Sequence, residues 1–253
     1  MQLHSGSLAG SERSIMRSIL IVNDDGINAE GLIRLAAIAK QLGEVWVVAP
    51  AEQQSAASHA ISLHNHIDVY PHAFPIEGIR AFSCSGTPAD CVRVGSLSIM
   101  PHKPDVVLSG INAGLNVATD IQYSGTAGAA FEGAFQGCLS IAVSEEVNST
   151  GEIAEKYLPE LLAELMEQKL GYGQIFNVNI PGCPLSEFRG ILRDRSVSHG
   201  MFYRDSYKKL SDLPNGGVRL MVDGKYNEDC EPDTDFRAVI ENYISVGTAS
   251  NIN

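Results

Sequence analysis

Five short runs of apolar residues, each ending in small or polar residues, constrain this chain more than any other feature. Ser18–Val22 (SILIV), Glu44–Ala49 (EVWVVA), Asp105–Ser109 (DVVLS), Ser140–Ser144 (SIAVS) and Ile175–Ile180 (IFNVNI) have the near-continuous hydrophobicity of strands buried on both faces. Helical patterns separate them. Between the first two, Leu32, Leu35, Ala36, Ala39 and Leu42 recur at three- and four-residue spacing across Ala29–Leu42, with Gly43 as the expected stop. Thr87-Pro88 opens a second helix as N-cap and N1, Ser124 or Thr126 caps a third over Ala127–Gln136, and Glu152–Gln168 forms a fourth. Parallel strands joined by right-handed helical crossovers follow, so the expected fold class is α/β, a doubly wound three-layer sheet.

The segments outside this alternation read differently. Ile61–Tyr70 alternates as a strand and returns near Ile79–Ser83 as a hairpin excursion. After Pro181, short runs at Gly190–Val197, Met201–Tyr203 and Val218–Met221 suggest a β-rich arm, with a final helix over Asp233–Ile244. Residues 1–17 form a polar leader, expected to be disordered, and 18–253 form a single α/β domain whose arm and C-terminal extension occupy about 181–253.

A chain of 253 residues with 44% hydrophobic side chains can bury a large core. Its formal charge of −12 opposes nucleic-acid duplexes and anionic membranes, and no apolar run approaches the ~18 residues of a membrane span. Five scattered cysteines, Cys84, Cys91, Cys138, Cys183 and Cys230, fit reduced thiols and a cytoplasmic location. There is no GxxxxGK[ST], no completed GxGxxG at Gly110-Ile111-Asn112-Ala113-Gly114, and no EF-hand, because Leu32 stands where that loop needs Glu.

Ligands of open α/β sheets sit beyond the carboxyl ends of the strands. Here those ends carry Asn23-Asp24-Asp25-Gly26, Ala49-Pro50 with Ser55 downstream, and Ser109-Gly110-Ile111-Asn112. Acidic turns are common where a strand meets a helix, but two adjacent carboxylates at a buried strand end repel each other unless a cation joins them. Carboxylates with a hydroxyl and an amide are hard donors, suited to Mg²⁺ or Mn²⁺. Ser124-Gly125-Thr126, opening a helix of small residues, would serve as an ordinary cap or, beside a metal, as a phosphate site. Among the histidines, His59 lies near Ser55 in sequence, His64 and His66 would share one strand face, and His199 belongs to the arm. Trp46, Cys91 and Cys138 read as core.

Asn23-Asp24-Asp25-Gly26, Gln54-Ser55-Ala56 with His59, Ser85-Gly86-Thr87-Pro88-Ala89-Asp90-Cys91, Ser109 through Asn116, and Tyr123 through Ala130 with Glu132-Gly133 together closely resemble the SurE family of metal-dependent nucleotidases. The match runs over roughly residues 18–145, with weaker similarity at Thr234-Asp235. It implies a Rossmann-like sheet with a β-hairpin arm, and a homodimer or homotetramer built partly by exchanged C-terminal segments. The metal ligands would be Asp24, Asp25, Ser55 and Asn112, holding one Mg²⁺ or Mn²⁺, with Co²⁺ a further candidate. Asn116, Ser124, Gly125 and Thr126 would hold the phosphate of nucleoside 5′- or 3′-monophosphates or short polyphosphate, with His59 as a candidate proton donor. The chain departs from the family pattern at Gln54, at Ser58 where Gly is frequent, and from Ile244 onward. Two other classes place acids after a first strand. A haloacid-dehalogenase-type phosphatase wants Asp-x-Asp or Asp-x-Thr, whereas Gly26 stands two residues after Asp24; a phospho-receiver module wants an acceptor Asp at the third strand and a Lys at the fifth, where Ser109-Gly110 and Ser144-Glu145-Glu146 stand instead.

Overall fold

The computed structural model describes residues 16–227 and 229–252. The expected disorder of the leader falls almost wholly outside them. The strands are β1 Ser18–Val22, β2 Glu44–Pro50, β3 Val69–His72, β4 Arg80–Cys84, β5 Val106–Ala113, β6 Leu139–Glu145, β7 Gln174–Ile180, β8 Gly190–Arg195, β9 Tyr203–Arg204, β10 Tyr207–Asp212, β11 Val218–Val222, β12 Lys225–Tyr226 and β13 Tyr243–Ser250. The α-helices are α1 Glu30–Ala39, α2 Pro88–Val94, α3 Gly125–Phe135, α4 Glu152–Leu165 and α5 Asp235–Ile240.

Among the described residues, nine strands form one sheet in the order β3-β4-β2-β1-β5-β6-β7-β13-β8. From β4 through β7 every pairing is parallel, while β3 and β13 each run antiparallel to one neighbour. Successive residues of the central strands face opposite sides. Ile19, Ile21, Val45, Val47, Leu108 and Val143 pack with α1 and α4, whereas Leu20, Val22, Trp46, Val48 and Val107 pack with Cys91, Val92 and Ala129 of α2 and α3. That is the expected three-layer architecture. The chain leaves β1 toward β2 on one side and later returns to β5 on the other, so the sheet's direction reverses between β1 and β5. A crevice at their carboxyl ends follows from that topology.

Several boundaries differ from the sequence pattern for identifiable reasons. Helix α1 stops at Ala39, and Gly43 does not adopt a left-handed cap: a Cβ there would lie 2.4 Å from the Arg17 carbonyl oxygen, so glycine is required by close packing. The hairpin strand is only β3; residues 61–68 are irregular, tied down instead by Thr87 Oγ1 donating to the Ala60 carbonyl (2.6 Å) and by the Ser62 amide donating to Asp90 (3.0 Å). His64 and His66 are therefore exposed on a loop and do not share a strand face. The expected terminal helix is split: α5 ends at Ile240, and Tyr243–Ser250 becomes β13, inserted between β7 and β8. Polar spacing concealed this strand, which has Ser245, Gly247 and Thr248 among its residues. Gly247 has no room for a side chain, since its Cβ would meet the Arg195 carbonyl at 2.1 Å.

Of the runs expected in the arm, β8 belongs to the main sheet instead, while β10 with β11 and β9 with β12 form two small antiparallel pairs outside it. Trp46 is core, as are Cys91 and Cys138. No helix among the described residues is long and apolar enough to cross a membrane.

Helix α2 carries a complete capping box, with Thr87 Oγ1 accepting from the Asp90 amide (3.1 Å) and Asp90 accepting from the Thr87 amide (3.0 Å). Replacing Thr87 with Ala removes this cap together with the bond to Ala60. A loss of about 1–2 kcal/mol is expected, read as a fall of several degrees in the thermal midpoint; an unchanged melt would contradict that role.

Candidate active site

The crevice between β1 and β5 is built first from backbone. Asn23, fully buried, folds the turn after β1: its Nδ2 donates to the Gly26 carbonyl (3.0 Å) and its Oδ1 accepts from the Gly26 amide (3.2 Å). Gly26 takes φ +103°, a conformation that strongly favours glycine. The Ile27 amide bonds the Pro50 carbonyl (2.8 Å) and the Gln54 amide bonds the Asp24 carbonyl (2.7 Å), fastening the loop after β2 to the acidic turn. On the other side, Gly31 of α1 lies so close to Ile111 that a Cβ would stand 2.1 Å from its carbonyl oxygen. The peptide Gly110–Ile111 within β5 is cis.

These contacts bring the two carboxylates to different partners. Asp24 is 5% exposed, and its Oδ1 accepts the Thr126 hydroxyl at 2.5 Å. Asp25 points outward: Oδ2 accepts the Ala113 amide at 3.1 Å, beside Asn112, and Oδ1 takes a long contact from Gln53 Nε2 at 3.4 Å. The same Gln53 amide donates to Ser55 Oγ at 2.9 Å. Asp25, Ser55 and the Asn112 turn thus converge through one glutamine and one backbone amide. Asn112 itself is held by Nδ2 donating to the Gly114 carbonyl (2.8 Å).

Helix α3 enters from the opposite face. Ser124 is its N-cap, accepting from the Ala127 amide at 3.0 Å. A Cβ on Gly125 would fall 2.9 Å from Asp24 Oδ2, so the first turn of the helix rests directly on the carboxylate. Thr126 gives Asp24 both its hydroxyl and its backbone amide. Burial nevertheless raises the Asp24 pKa above the usual carboxylate value, with Asp25 adding repulsion and Thr126 only partly offsetting both. Oxygen donors around a carboxylate under that load fit a hard divalent cation, which would be held by Asp24, Asp25, Ser55 and Asn112. No cluster of three His, Cys, Asp or Glu suited to a metal occurs among the described residues, and two of these four candidates, Ser55 and Asn112, are neutral oxygen donors.

The remaining expected residues are placed differently. Asn116, 6% exposed, turns its Nδ2 to Ser144 Oγ (2.8 Å), while its backbone is gripped by Asn179 Oδ1, Asn179 Nδ2 and Asn177 Nδ2. His59 does not turn to the carboxylates: Nε2 lies 2.9 Å from Glu132 Oε2, and Nδ1 lies 3.2 Å from Asn251 Nδ2. His199 is exposed on the arm, 3.8 Å from Glu231. Ser58 adopts φ +53° and donates its hydroxyl to the Gln122 carbonyl (2.7 Å), which anchors a conformation that glycine would take at less cost.

Beyond Asp25 and Asn112 the crevice opens into a cleft of about 380 Å³, walled by Glu30, Arg34, Glu145 and Asn148. Arg34 pairs with Glu145 at 2.8 Å.

A family model described as Survival protein SurE matches residues 19–200. The chain belongs to the SurE family. Proteins named 5′-nucleotidase SurE are similar to it along nearly their whole length: 40% identity with that of Caldanaerobacter subterraneus subsp. tengcongensis and 37% with that of Thermosipho africanus, each covering 90% of this chain and 89% of the relative. The crystal structure of the SurE protein from Aquifex aeolicus superposes with a TM-score of 0.77 at 32% identity, covering 92% of this chain and 93% of that one. The SurE match displaces the haloacid-dehalogenase and receiver alternatives.

Gln53, Asn177 and Asn179 were not singled out from sequence, and Glu132 entered only within the Glu132-Gly133 part of the resemblance. The two asparagines had a visible signal, polar residues at period two inside the buried strand FNVNI. Gln53 had none beyond its proximity to Ser55.

A carboxyl whose folded pKa is raised favours the fold below its unfolded pKa, and this contribution is lost as pH rises through the folded value. Above that raised folded value, and without a cation, Asp24 is therefore a destabilising charge. Asp24→Asn is expected to raise the melting temperature in chelator by a few degrees and to abolish the further rise that a bound divalent cation, tested as Mn²⁺, would give the wild type. Differential scanning calorimetry with and without Mn²⁺ checks both; a lower midpoint in chelator would contradict the charge argument.

Proposed function

We propose that this chain is a metal-dependent phosphomonoesterase that hydrolyses nucleoside 5′-monophosphates, and 3′-monophosphates with them, to nucleoside and inorganic phosphate. The observation that carries the reading is the seating of the α3 N-terminus on Asp24, with Thr126 Oγ1 at 2.5 Å and no room for a Cβ on Gly125. One spot thereby combines carboxylates that attract a cation and a helix end that attracts an anion. The names of the relatives support the same substrate class.

In this reading Asp24, Asp25, Ser55 and Asn112 hold one Mg²⁺ or Mn²⁺, with Co²⁺ as a substitute. When bound, such an ion polarises a phosphoryl oxygen and supplies charge as the transition state develops. The helix end at Ser124-Gly125-Thr126 attracts the phosphate; Gly125 itself is in contact with Asp24, and Asn116, whose Nδ2 donates to Ser144 Oγ, takes no part in holding it. Thr126 acts from beneath, keeping Asp24 aimed. The proton-donor role expected for His59 is not carried forward, because Glu132 and Asn251 engage both ring nitrogens. The acidic cleft beside Asp25 would accept the hydroxyls of a nucleoside more readily than the additional charges of short polyphosphate.

A homodimer or homotetramer in the cytoplasm is part of the proposal. Its support is the β10–β11 hairpin, where Tyr207, Leu210, Leu220, Met221 and Val222 are all exposed. Strand β13 already pairs within this chain's own sheet. Substituting Leu220 and Val222 together with Glu is expected to lower the mass measured by light scattering without altering the circular dichroism spectrum; an unchanged mass would remove the hairpin as an interface.

The activity test is phosphate release from AMP and GMP in Mg²⁺ or Mn²⁺. Release of many equivalents per chain is expected, abolished by EDTA, restored by added metal, and reduced by 10³-fold or more, about 4 kcal/mol of barrier, in Asp24→Asn. Near-normal turnover of that variant at saturating metal would refute the site.

A further inference from the structure

We infer that Glu132 is a positioning residue which, through His59, fixes the segment 55–60 that carries the Ser55 ligand. The inference rests on the metal-site reading above, but its geometry stands apart from it. Two non-glycine residues of this short segment, Ala56 at φ +58° and Ser58 at φ +53°, occupy the left-handed region. Such conformations cost about 1–2 kcal/mol each and persist only where surrounding contacts enforce them.

Ser58 is tied to the Gln122 and Tyr123 carbonyls and Ala60 to Thr87, and the side chain between them, His59, ends on one buried carboxylate. Glu132, 4% exposed on α3, accepts from His59 Nε2 at 2.9 Å through one oxygen, and from Arg93 (3.0 Å) and Gln136 (2.8 Å) through the other. Burial works to raise its pKa, but His59, Gln136 and Arg93 together outweigh that and hold it below the usual glutamate range, so it is an anion at neutral pH. The Asn251 amide donating to Nδ1 places the His59 proton on Nε2, where it faces Glu132. The ring also stacks on Phe135 at a centroid distance of 5.4 Å. Gly128 completes the cradle, because a Cβ there would lie 2.2 Å from the Ser58 carbonyl oxygen. Helix α3 thus touches both halves of the site: its first turn rests on Asp24, and about two turns further on Glu132 holds the loop bearing Ser55.

Hydrogen–deuterium exchange of residues 51–62, measured in metal-free wild type, E132A, H59A and the double variant, tests this directly. Exchange at 55–60 is expected to accelerate about tenfold in either single variant, with little change in β1 or β5. AMP turnover should fall on the order of 10–100-fold, with the half-saturating Mn²⁺ concentration raised. Because both residues act through one contact, the double variant should be no more than about threefold worse than the poorer single. Unchanged exchange at 55–60, or losses that multiply in the double variant, would overturn the inference. Should E132A fail to fold, H59A supplies the loop readout, since Glu132 then keeps Arg93 and Gln136. The exchange result is independent of turnover, so failure of the metal reading, shown by an active Asp24→Asn, is distinguishable from failure of this one.

Discussion

A buried carboxylate held against the start of a helix is the constraint on which this structure turns. Asp24 is nearly inaccessible and has Asp25 as its chain neighbour, yet it receives no cationic side chain, only the hydroxyl and amide of Thr126 and its own backbone amide. Removing a charge from water at such a point costs several kcal/mol unless opposite charge or good donors replace the solvent. The helix end supplies part of that compensation, and a divalent cation would supply the rest. Many other features of the crevice serve to make this pairing sterically possible.

Those features are mostly the absence of side chains. Gly125 lets α3 touch Asp24, Gly31 lets α1 reach Ile111, and Gly128 admits the loop that brings Ser55 and His59 across the helix. The topology sets where they act: β1 and β5 are neighbours whose connections leave in opposite directions, so Asp24, Asp25 and Asn112 emerge on the two walls of one opening. Helices of the two outer layers then meet the same opening from opposite faces. The catalytic proposal and the positioning role of Glu132 are consequences of one helix, α3, crossing beneath both.

Much of this was legible in the sequence. Continuous apolar strands ending in Asn-Asp-Asp-Gly and Ser-Gly-Ile-Asn gave the parallel sheet and its functional edge, because burial on both faces leaves little room for polar residues except at strand ends. What escaped depended on long-range packing. Strand β13 was obscured by serine, glycine and threonine, which pair well in a sheet but carry no hydrophobic alternation. The irregular course of 61–68 is imposed by Thr87 and Asp90, residues that the sequence shows only as a helix cap. His59 looked like a catalytic histidine because it follows Ser55 closely; its partners, Glu132 and Asn251, lie 73 and 192 residues away and could not be paired with it by spacing.

The central claim is that the strand-end carboxylates and the N-terminus of α3 form one site for a cation and a phosphate. Anomalous scattering from a crystal soaked in Mn²⁺ and inorganic phosphate tests it most directly. The account predicts one strong manganese peak bounded by Asp24, Asp25, Ser55 and Asn112, with phosphate density between that peak and Gly125. A manganese peak seated instead beside Glu30 and Glu145 in the neighbouring cleft, with no phosphate at α3, would contradict it.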